Sequence, residues 1–508
     1  MPWAAAIGGW EPTHPRGPPR RLPSPAVASH LKRLATSGAA YQASSLVAAF
    51  LALFTLPLYT RHLTPAELGY AETLLTAIIL VSILLRSGIG EAFVRFYFDD
   101  ADAARRDRLA RTTTGFVLLT STVTALAAVA VAGPISEALL GIHDATLVSF
   151  GVLGLWAFTN LEIAYALLRV DERRRTYLIA SVSNVLLTVT LTVILVVVLD
   201  EGARGYVLGN YAASTIVLVG LWAFALRHRV VLALRGGPRA LAPLLRFGAP
   251  TVPADAAVFA LNVIDRAYLL RADSPAAAGL YSVAVKLATV VIVAVRGFQL
   301  AWPPLAYSIA DETEARRVYA VVTTAYVTAT GLVVAGITLL GRWVVRLLAA
   351  DEFFPAHEAL PWVALGWALY GLFLVFVTIA GRAKVTTRIF PAAAAGLATN
   401  AVALVVLVDA LGIVGAGLAL CGAYLVMLVV VYLLTRRVFA VPFEWRRLGL
   451  IVAIVGGIAV AGELVLPTAG LAGFAARVLA LAAIPVTLVL ARVFTLRQVA
   501  RSWAAMRS

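Results

Sequence analysis

The sequence predicts an all-α polytopic membrane protein of about fourteen transmembrane helices, built as two six-helix lobes related by a parallel repeat, plus two extra C-terminal helices. Three observations carry this prediction. The 508 residues are 61% apolar and only 14% charged, with a mean hydropathy of +0.89, a balance far from that of water-soluble domains. Apolar stretches of the ~20 residues that a bilayer span requires recur from Ser37 to Ala491, separated by short polar breaks. A motif in the first hairpin returns 210 residues further on.

Residues 1–36 form a Pro/Arg-rich segment, with Pro12, Pro15, Pro18, Pro19, Pro23 and Pro25, that cannot bury a core and reads as a disordered cytoplasmic tail. The first apolar run is of full span length and leads into another, so it reads as a retained helix rather than a signal peptide. Apolar length and polar breaks place spans 1 to 6 at 37–60, 67–88, 112–132, 146–168, 177–199 and 205–226, within an N-lobe of 37–246. Spans 7 to 12 follow at 247–270, 276–298, 318–340, 357–380, 389–409 and 412–434, within a C-lobe of 247–447. Spans 13 and 14 lie at 448–466 and 470–491, and residues 492–508 form a second cytoplasmic tail. The outside segment between Gly341 and Ala356 reads as the longest outer loop, and Trp302-Pro303-Pro304 reads as an interfacial anchor and stop after span 8.

Charge tests the count independently. Lysine and arginine collect in cytoplasmic loops, and with the N-terminus inside, 33 of the 42 fall in inside segments while only Arg61, Arg204, Arg271, Arg342 and Arg346 fall outside. The net charge of +15 is thereby read as orientation and attraction to anionic membrane lipid, not as nucleic-acid binding. Cys421 is the only cysteine and the six histidines lack ligand spacing, so neither a disulfide framework, a metal site nor a cofactor is called for.

The repeat pairs Arg61-His62-Leu63-Thr64-Pro65-Ala66-Glu67-Leu68-Gly69 with Arg271-Ala272-Asp273-Ser274-Pro275-Ala276-Ala277-Ala278-Gly279, and the same offset maps Arg86 onto Arg296 and Gly38 onto Gly248. Two six-span units in one orientation are related by an axis along the membrane normal, the plan of transporters that rock two lobes about a central site.

Charges within spans cost a few kcal/mol each on insertion scales and face a cavity or a partner. They concentrate in spans 7 and 8. Asp255, Asn262 and Arg266 share a narrow arc of span 7, with Asp265 to its side, and Ser282, Lys286, Thr289 and Arg296 share an arc of about 80° on span 8. Glu72, Thr76 and Arg86 form the repeat-related stripe of span 2. Arginine grips phosphate bidentately and lysine acts as a point charge, so Arg266, Lys286, Arg296 and Arg86 are the candidate ligands of an anionic head group. The competing reading pairs Lys286 and Arg266 with Asp265 or Asp255 and lets Arg86 and Arg296 snorkel to the interface. Glu162, with Asn160, is a candidate relay or loop-pairing group on span 4, and Glu463 and Arg477 are placed to pair within the last hairpin.

Leu56-Pro57-Leu58-Tyr59-Thr60-Arg61 with Thr64-Pro65-Ala66-Glu67-Leu68-Gly69-Tyr70 resembles the first hairpin of bacterial polysaccharide biosynthesis proteins, the O-antigen (Wzx-type) flippases. Phe247-Gly248-Ala249-Pro250, Asp265-Arg266-Ala267-Tyr268, Ala278-Gly279-Leu280-Tyr281-Ser282, Lys286 and Phe298-Gln299-Leu300-Ala301-Trp302-Pro303-Pro304 resemble the start of that family's second lobe. The wider superfamily joins these with lipid II flippases and multidrug exporters. The resemblance implies a V-shaped pair of lobes in the bacterial cytoplasmic membrane. By alternating access these carry an undecaprenyl-diphosphate-linked oligosaccharide from the inner to the outer leaflet, alongside a polysaccharide polymerase and glycosyltransferases. It implies that the cationic cavity holds the diphosphate and, by analogy with lipid II flippases, that spans 13 and 14 form a groove for the lipid tail.

A cation-coupled multidrug or small-molecule exporter of the same superfamily is the competing function, kept open by Asp255 and Asp265. An enzyme such as a membrane glycosyltransferase is disfavoured, because the short outer segments leave no room for a catalytic insert.

Overall fold

The computed structural model describes residues 51–99, 102–229, 237–309, 311–383, 385 and 389–493. The predicted tail 1–36, the first part of span 1 and the chain beyond Val493 lie outside these. Every regular element among the described residues is helical.

The N-lobe begins with α1, Leu51–Thr60, and α2, Pro65–Arg86, whose start is fixed by a capping box. The Thr64 side chain accepts from the Glu67 backbone, the Glu67 carboxylate accepts from the Thr64 backbone, and Pro65 fills the first position, where no N–H is needed. Then come α3, Ile89–Asp99, α4, Ala103–Ala130, and α5, Ala132–Leu140. Three long helices complete the lobe: α6, Ala145–Val170, and α7, Arg174–Val193, and α8, Gly202–Gly220, the last two each extended by a π turn. Asp102 and Asp144 cap α4 and α6.

A linker helix α9, Gly237–Gly248, leads to the C-lobe helices α10, Val252–Ala272, and α11, Pro275–Leu287. The repeat is visible in the capping, since Ser274 caps α11 ahead of Pro275 as Thr64 caps α2 ahead of Pro65. The lobe continues through α12, Thr289–Ser308, α13, Glu312–Leu348, α14, Ala356–Arg382, and α15, Ile389–Thr435. The last is two helices joined at Gly412, whose φ of 54° and ψ of −129° break the helical path. The final hairpin is α16, Trp445–Val465, and α17, Gly470–Leu490, and it packs on α13.

Among the described residues ten helices are long and apolar enough to cross a membrane, or eleven when α11 and α12 are joined. The fourteen predicted spans exceed this for local reasons. Only the end of span 1 is described, α10 carries four charges, and spans 11 and 12 merge in α15.

Three expectations are corrected. Span 8 is not one straight helix: it bends by 48° between α11 and α12, where the β-branched run from Thr289 to Val293 follows Ala288. The polar stripe is thus broken between Lys286 and Arg296. Trp302 is no interfacial anchor, because it is 1% exposed, stacks on Phe298 and meets Tyr319 edge-on inside α12, which runs on through both prolines to Ser308. The outer segment after Gly341 is shorter than the predicted boundaries imply, since α13 reaches Leu348 and a short 3-10 turn at Asp351–Phe353 precedes α14.

The two ends of the bundle differ. At the end bearing Pro65 and Pro275 a single buried core runs through both lobes, joining Leu56, Leu68 and Tyr206 of the N-lobe to Tyr281, Val283 and Phe353 of the C-lobe. Toward Arg86 and Arg296 the cores are separate: one gathers Phe93, Leu161 and Leu218, another Trp302, Tyr319 and Phe376. The linker α9 belongs with the N-lobe at this end, burying Leu241 and Leu244 against Ile89, Ala92 and Val117.

Candidate functional site

The lobes meet along α2 and α11, the repeat-related helices. Gly69 and Gly279 occupy the same position in the two repeats, and each lies against the other hairpin. A Cβ on Gly69 would overlap the Pro275 carbonyl oxygen, and one on Gly279 would overlap the Pro65 carbonyl oxygen. Both capped helix starts therefore interlock through backbone, which only glycine permits at this distance. Thr60 Oγ1 accepts from the Ala350 backbone at 3.1 Å and Arg271 donates to the Glu137 carbonyl at 2.9 Å, adding two polar contacts between lobes at the same end.

One turn along α2 from Gly69 lies Glu72, 6% exposed. Its partner comes from the other lobe: Lys286 Nζ sits 2.7 Å from Glu72 Oε1. Tyr206 on α8 completes a triangle, donating its hydroxyl proton to Glu72 Oε1 at 2.8 Å and accepting from Lys286 at 3.1 Å. Lys286 was expected to pair with Asp265 or Asp255, if with anything. It bonds instead to Glu72 across the lobe interface.

Asp265 is held within the C-lobe. It is 1% exposed and accepts from the Tyr281 hydroxyl at 2.9 Å and from Asn400 Nδ2 at 3.1 Å, so α10, α11 and α15 converge on it. Arg266, 6% exposed, is buried beside it and acts electrostatically on both Asp265 and Glu72. Two acids, Glu72 and Asp265, and two bases, Lys286 and Arg266, thus occupy the buried junction of α2, α10 and α11.

The remaining candidates lie toward the divided end and are not brought to this cluster. Arg86 faces its own lobe, 3.6 Å from Glu162, and also donates to the Ser82 carbonyl at 3.3 Å. Its repeat partner Arg296 is exposed and makes no ion pair among the described residues. Asp255 is exposed on α10, within electrostatic reach of Arg86 and Glu91 across the interface. The side chain of Asn262 lies outside the described residues.

A second feature is an open, mainly apolar groove of about 870 Å³ between α13, α14, α15 and α16. Its walls include Val334, Leu372, Leu428 and Val455, and its polar end, beside the interlocked hairpins, carries Arg342, His357 and Glu463. There Arg477, fully buried, bonds Glu463 and also donates to the carbonyls of Leu339 and Pro467, while Arg342 reaches the other Glu463 oxygen at 3.2 Å. The predicted pairing of Glu463 with Arg477 is present and fastens α16 and α17 to α13.

Sequence reasoning placed Glu72 on the stripe but did not assign it a partner, and it missed Tyr206, Tyr281 and Asn400. The repeat held a usable signal. Position 72 is equivalent to 282 and 76 to 286, so two helices touching at Gly69 and Gly279 bring 72 toward 286.

Two helical lobes joined across a buried charge cluster, in a chain of this hydropathy, define a multi-span membrane protein. Comparison with solved structures agrees. The lipid II flippase MurJ in an inward closed conformation matches with a TM-score of 0.72 at 13% identity, covering 89% of this chain and 99% of that one. An inward-facing multidrug resistance MATE family transporter of the MOP superfamily matches with a TM-score of 0.64 at 16% identity, covering 79% and 95%. A MOP superfamily transporter from Pyrococcus furiosus matches with a TM-score of 0.57 at 14% identity, covering 81% and 94%. No curated protein matches the sequence. The family model for polysaccharide biosynthesis proteins matches residues 34–306, and the chain belongs to that family.

Proposed function

We propose that this protein is a flippase that carries an undecaprenyl-diphosphate-linked oligosaccharide from the inner to the outer leaflet of the bacterial cytoplasmic membrane by alternating access. The two-lobe, fourteen-span plan and cytoplasmic termini of the sequence reading are part of the proposal, and they make the interlocked hairpins the outer end. The observation that carries it is Lys286, a lysine held at the lobe interface by one carboxylate and one hydroxyl, with Arg266 buried close by. A cation stored in an ion pair can be transferred to a diphosphate, whose charge and several oxygens compete with a single carboxylate. Arg296, exposed and without an ion pair among the described residues, is the first cation an anion would meet on the inner side, its repeat equivalent Arg86 being engaged by Glu162 on the N-lobe. The groove along α16 supports the reading, because a polyprenyl chain needs an apolar path beside the lobes while its head group crosses between them.

Mass spectrometry of undecaprenyl-linked glycans tests this, in cells lacking the gene and complemented with wild type or Lys286→Gln. Accumulation of an inner-leaflet, diphosphate-linked oligosaccharide that wild type alone relieves is the expected result. An unchanged pool would favour the small-molecule exporter. Against that exporter stands Asp265, the best-buried acid of α10, which already accepts from Tyr281 and Asn400.

A further inference from the structure

We propose that Glu72 is the intramolecular stand-in for the substrate's anionic group: it occupies Lys286 whenever the site is empty, and the diphosphate must displace it. This rests on the reading of Lys286 as a head-group ligand and adds a residue and a competition to it. The argument is one of charge balance. With the lobes together, Glu72 sits on Lys286 and Asp265 lies beside Arg266 in a largely buried cluster. If α2 and α11 separate, Asp265 stays with Arg266 and Lys286 on the C-lobe, fixed by Tyr281 and Asn400, while Glu72 leaves with Tyr206 on the N-lobe. On the empty C-lobe face Lys286 has then lost its carboxylate, and on the N-lobe face Glu72 has lost its cation. Ionised groups stripped of partners in a low-dielectric setting are costly, so an empty protein resists opening at the interlocked hairpins. A bound diphosphate removes that resistance by taking the place of Glu72 on Lys286.

The repeat sharpens the assignment. The pseudo-symmetric counterpart of the Glu72 and Lys286 pair is Ser282 with Thr76, and both hydroxyls are buried and bonded to their own helices, at the Ala278 and Glu72 carbonyls. One of two equivalent positions thus carries a cross-lobe ion pair and the other carries none. That asymmetry gives the site a single cationic wall, on the C-lobe, and a single competitor facing it.

Binding of farnesyl diphosphate, the probe, to the full-length protein in nanodiscs tests the proposal, with farnesol as the uncharged control. Glu72→Gln preserves size and an acceptor for Tyr206 while removing the competing charge, and should tighten farnesyl diphosphate binding by about tenfold, because the competent state no longer has to be won from an internal anion. Lys286→Gln should weaken binding, and the double variant should bind no better than Lys286→Gln alone. Tyr206→Phe gives an independent check: it leaves both charges but removes one hydrogen bond from Glu72, and should tighten binding by a smaller factor. Unchanged or weakened binding in both Glu72→Gln and Tyr206→Phe, with Lys286→Gln still impaired, would overturn the stand-in role and leave the flippase reading intact. Unchanged binding in Lys286→Gln would overturn both.

Discussion

The two ends of the bundle are built from the same duplicated segment, yet one end is fused and the other divided. At the fused end the repeats meet each other: Gly69 on Pro275, Gly279 on Pro65, and Glu72 on Lys286. At the divided end the buried cores part, and the contacts that remain include Gly88 against the Gly248 backbone and Asp255 within electrostatic reach of Arg86 and Glu91. Arg86 pairs with Glu162 on α6, while Arg296 lies beyond a 48° bend that has no equivalent in the unbroken α2. Duplication thus supplies the matched surfaces on which the two lobes meet, and divergence after it leaves Arg86 with an acid partner in its own lobe and Arg296 exposed. The bend is the local cause of the difference, because it separates Arg296 from the Lys286 face of the same predicted span.

The fused end can be broken by adding one carbon. Gly279→Ala places a Cβ on the Pro65 carbonyl and 3.1 Å from the Gly69 backbone nitrogen. Its neighbours there are backbone atoms, which cannot rotate aside as a side chain can. We expect the hairpins to part and export to be lost while the protein stays in the membrane. The check is the labelling of a cysteine placed at Ser282, in a Cys421→Ser background, by a membrane-impermeant maleimide added from outside. Labelling should rise from near background, and Gly69→Ala should behave alike. Retained closure in both would mean that the interlock bears no load.

A second test asks whether the groove helices depend on the same end. Arg477 is fully buried and binds Glu463 together with carbonyls of Leu339 and Pro467. Arg477→Ala leaves Glu463 with Arg342 but strips the Leu339 and Pro467 carbonyls of the guanidinium donor, at a cost of about 1–3 kcal/mol for each buried group left unpaired, so it should lower thermal stability markedly, whereas Arg477→Lys should recover part of it through the carboxylate alone. Thermal unfolding in detergent measures both. Because α16 and α17 pack on α13, outside the α2 and α11 contact, labelling at position 282 should stay low in Arg477→Ala. A rise would tie the groove to the closure.

How much of this was legible in the sequence follows from the range of the interactions. Long helices were readable because a span is a local pattern. Predicted boundaries such as 146–168 and 357–380 sit inside α6 and α14, whose few extra end residues include Arg169 and Arg382. Short α3, α5 and α9 were not, since helices of 9 to 12 residues between long apolar runs read as loops. Pairing of Glu463 with Arg477 was readable because both lie on one hairpin. For Asp265 the correct helix and the neighbouring Arg266 were readable, but not its hydrogen-bond donors. Its hydrogen-bond donors, Tyr281 and Asn400, come from two other helices, and a helical wheel orders residues within one helix only. Lys286 failed as a pairing prediction for the same reason, although the repeat, read as a contact rather than as a topology, points to Glu72.

The smallest expected effect is the most discriminating, because it sets two repeat-equivalent residues against each other. Arg86 is partly exposed and 3.6 Å from Glu162, itself partly exposed; a pair of this kind contributes roughly 0–1 kcal/mol. Arg86→Gln should therefore lower thermal stability slightly, and Arg296→Gln, which breaks no ion pair among the described residues, should leave it unchanged. Transport reverses the order. If Arg296 is the entry cation, its loss slows capture of the anionic head group at limiting substrate and matters less when substrate is abundant, since it acts on encounter rather than on the crossing. Arg86, engaged by Glu162, contributes less to that encounter. Initial export rates of both variants at low and high substrate supply make the comparison. Equal losses in the two variants would mean that the lobes share the entry step equally, and that the bend in the C-lobe has no bearing on where the head group first binds.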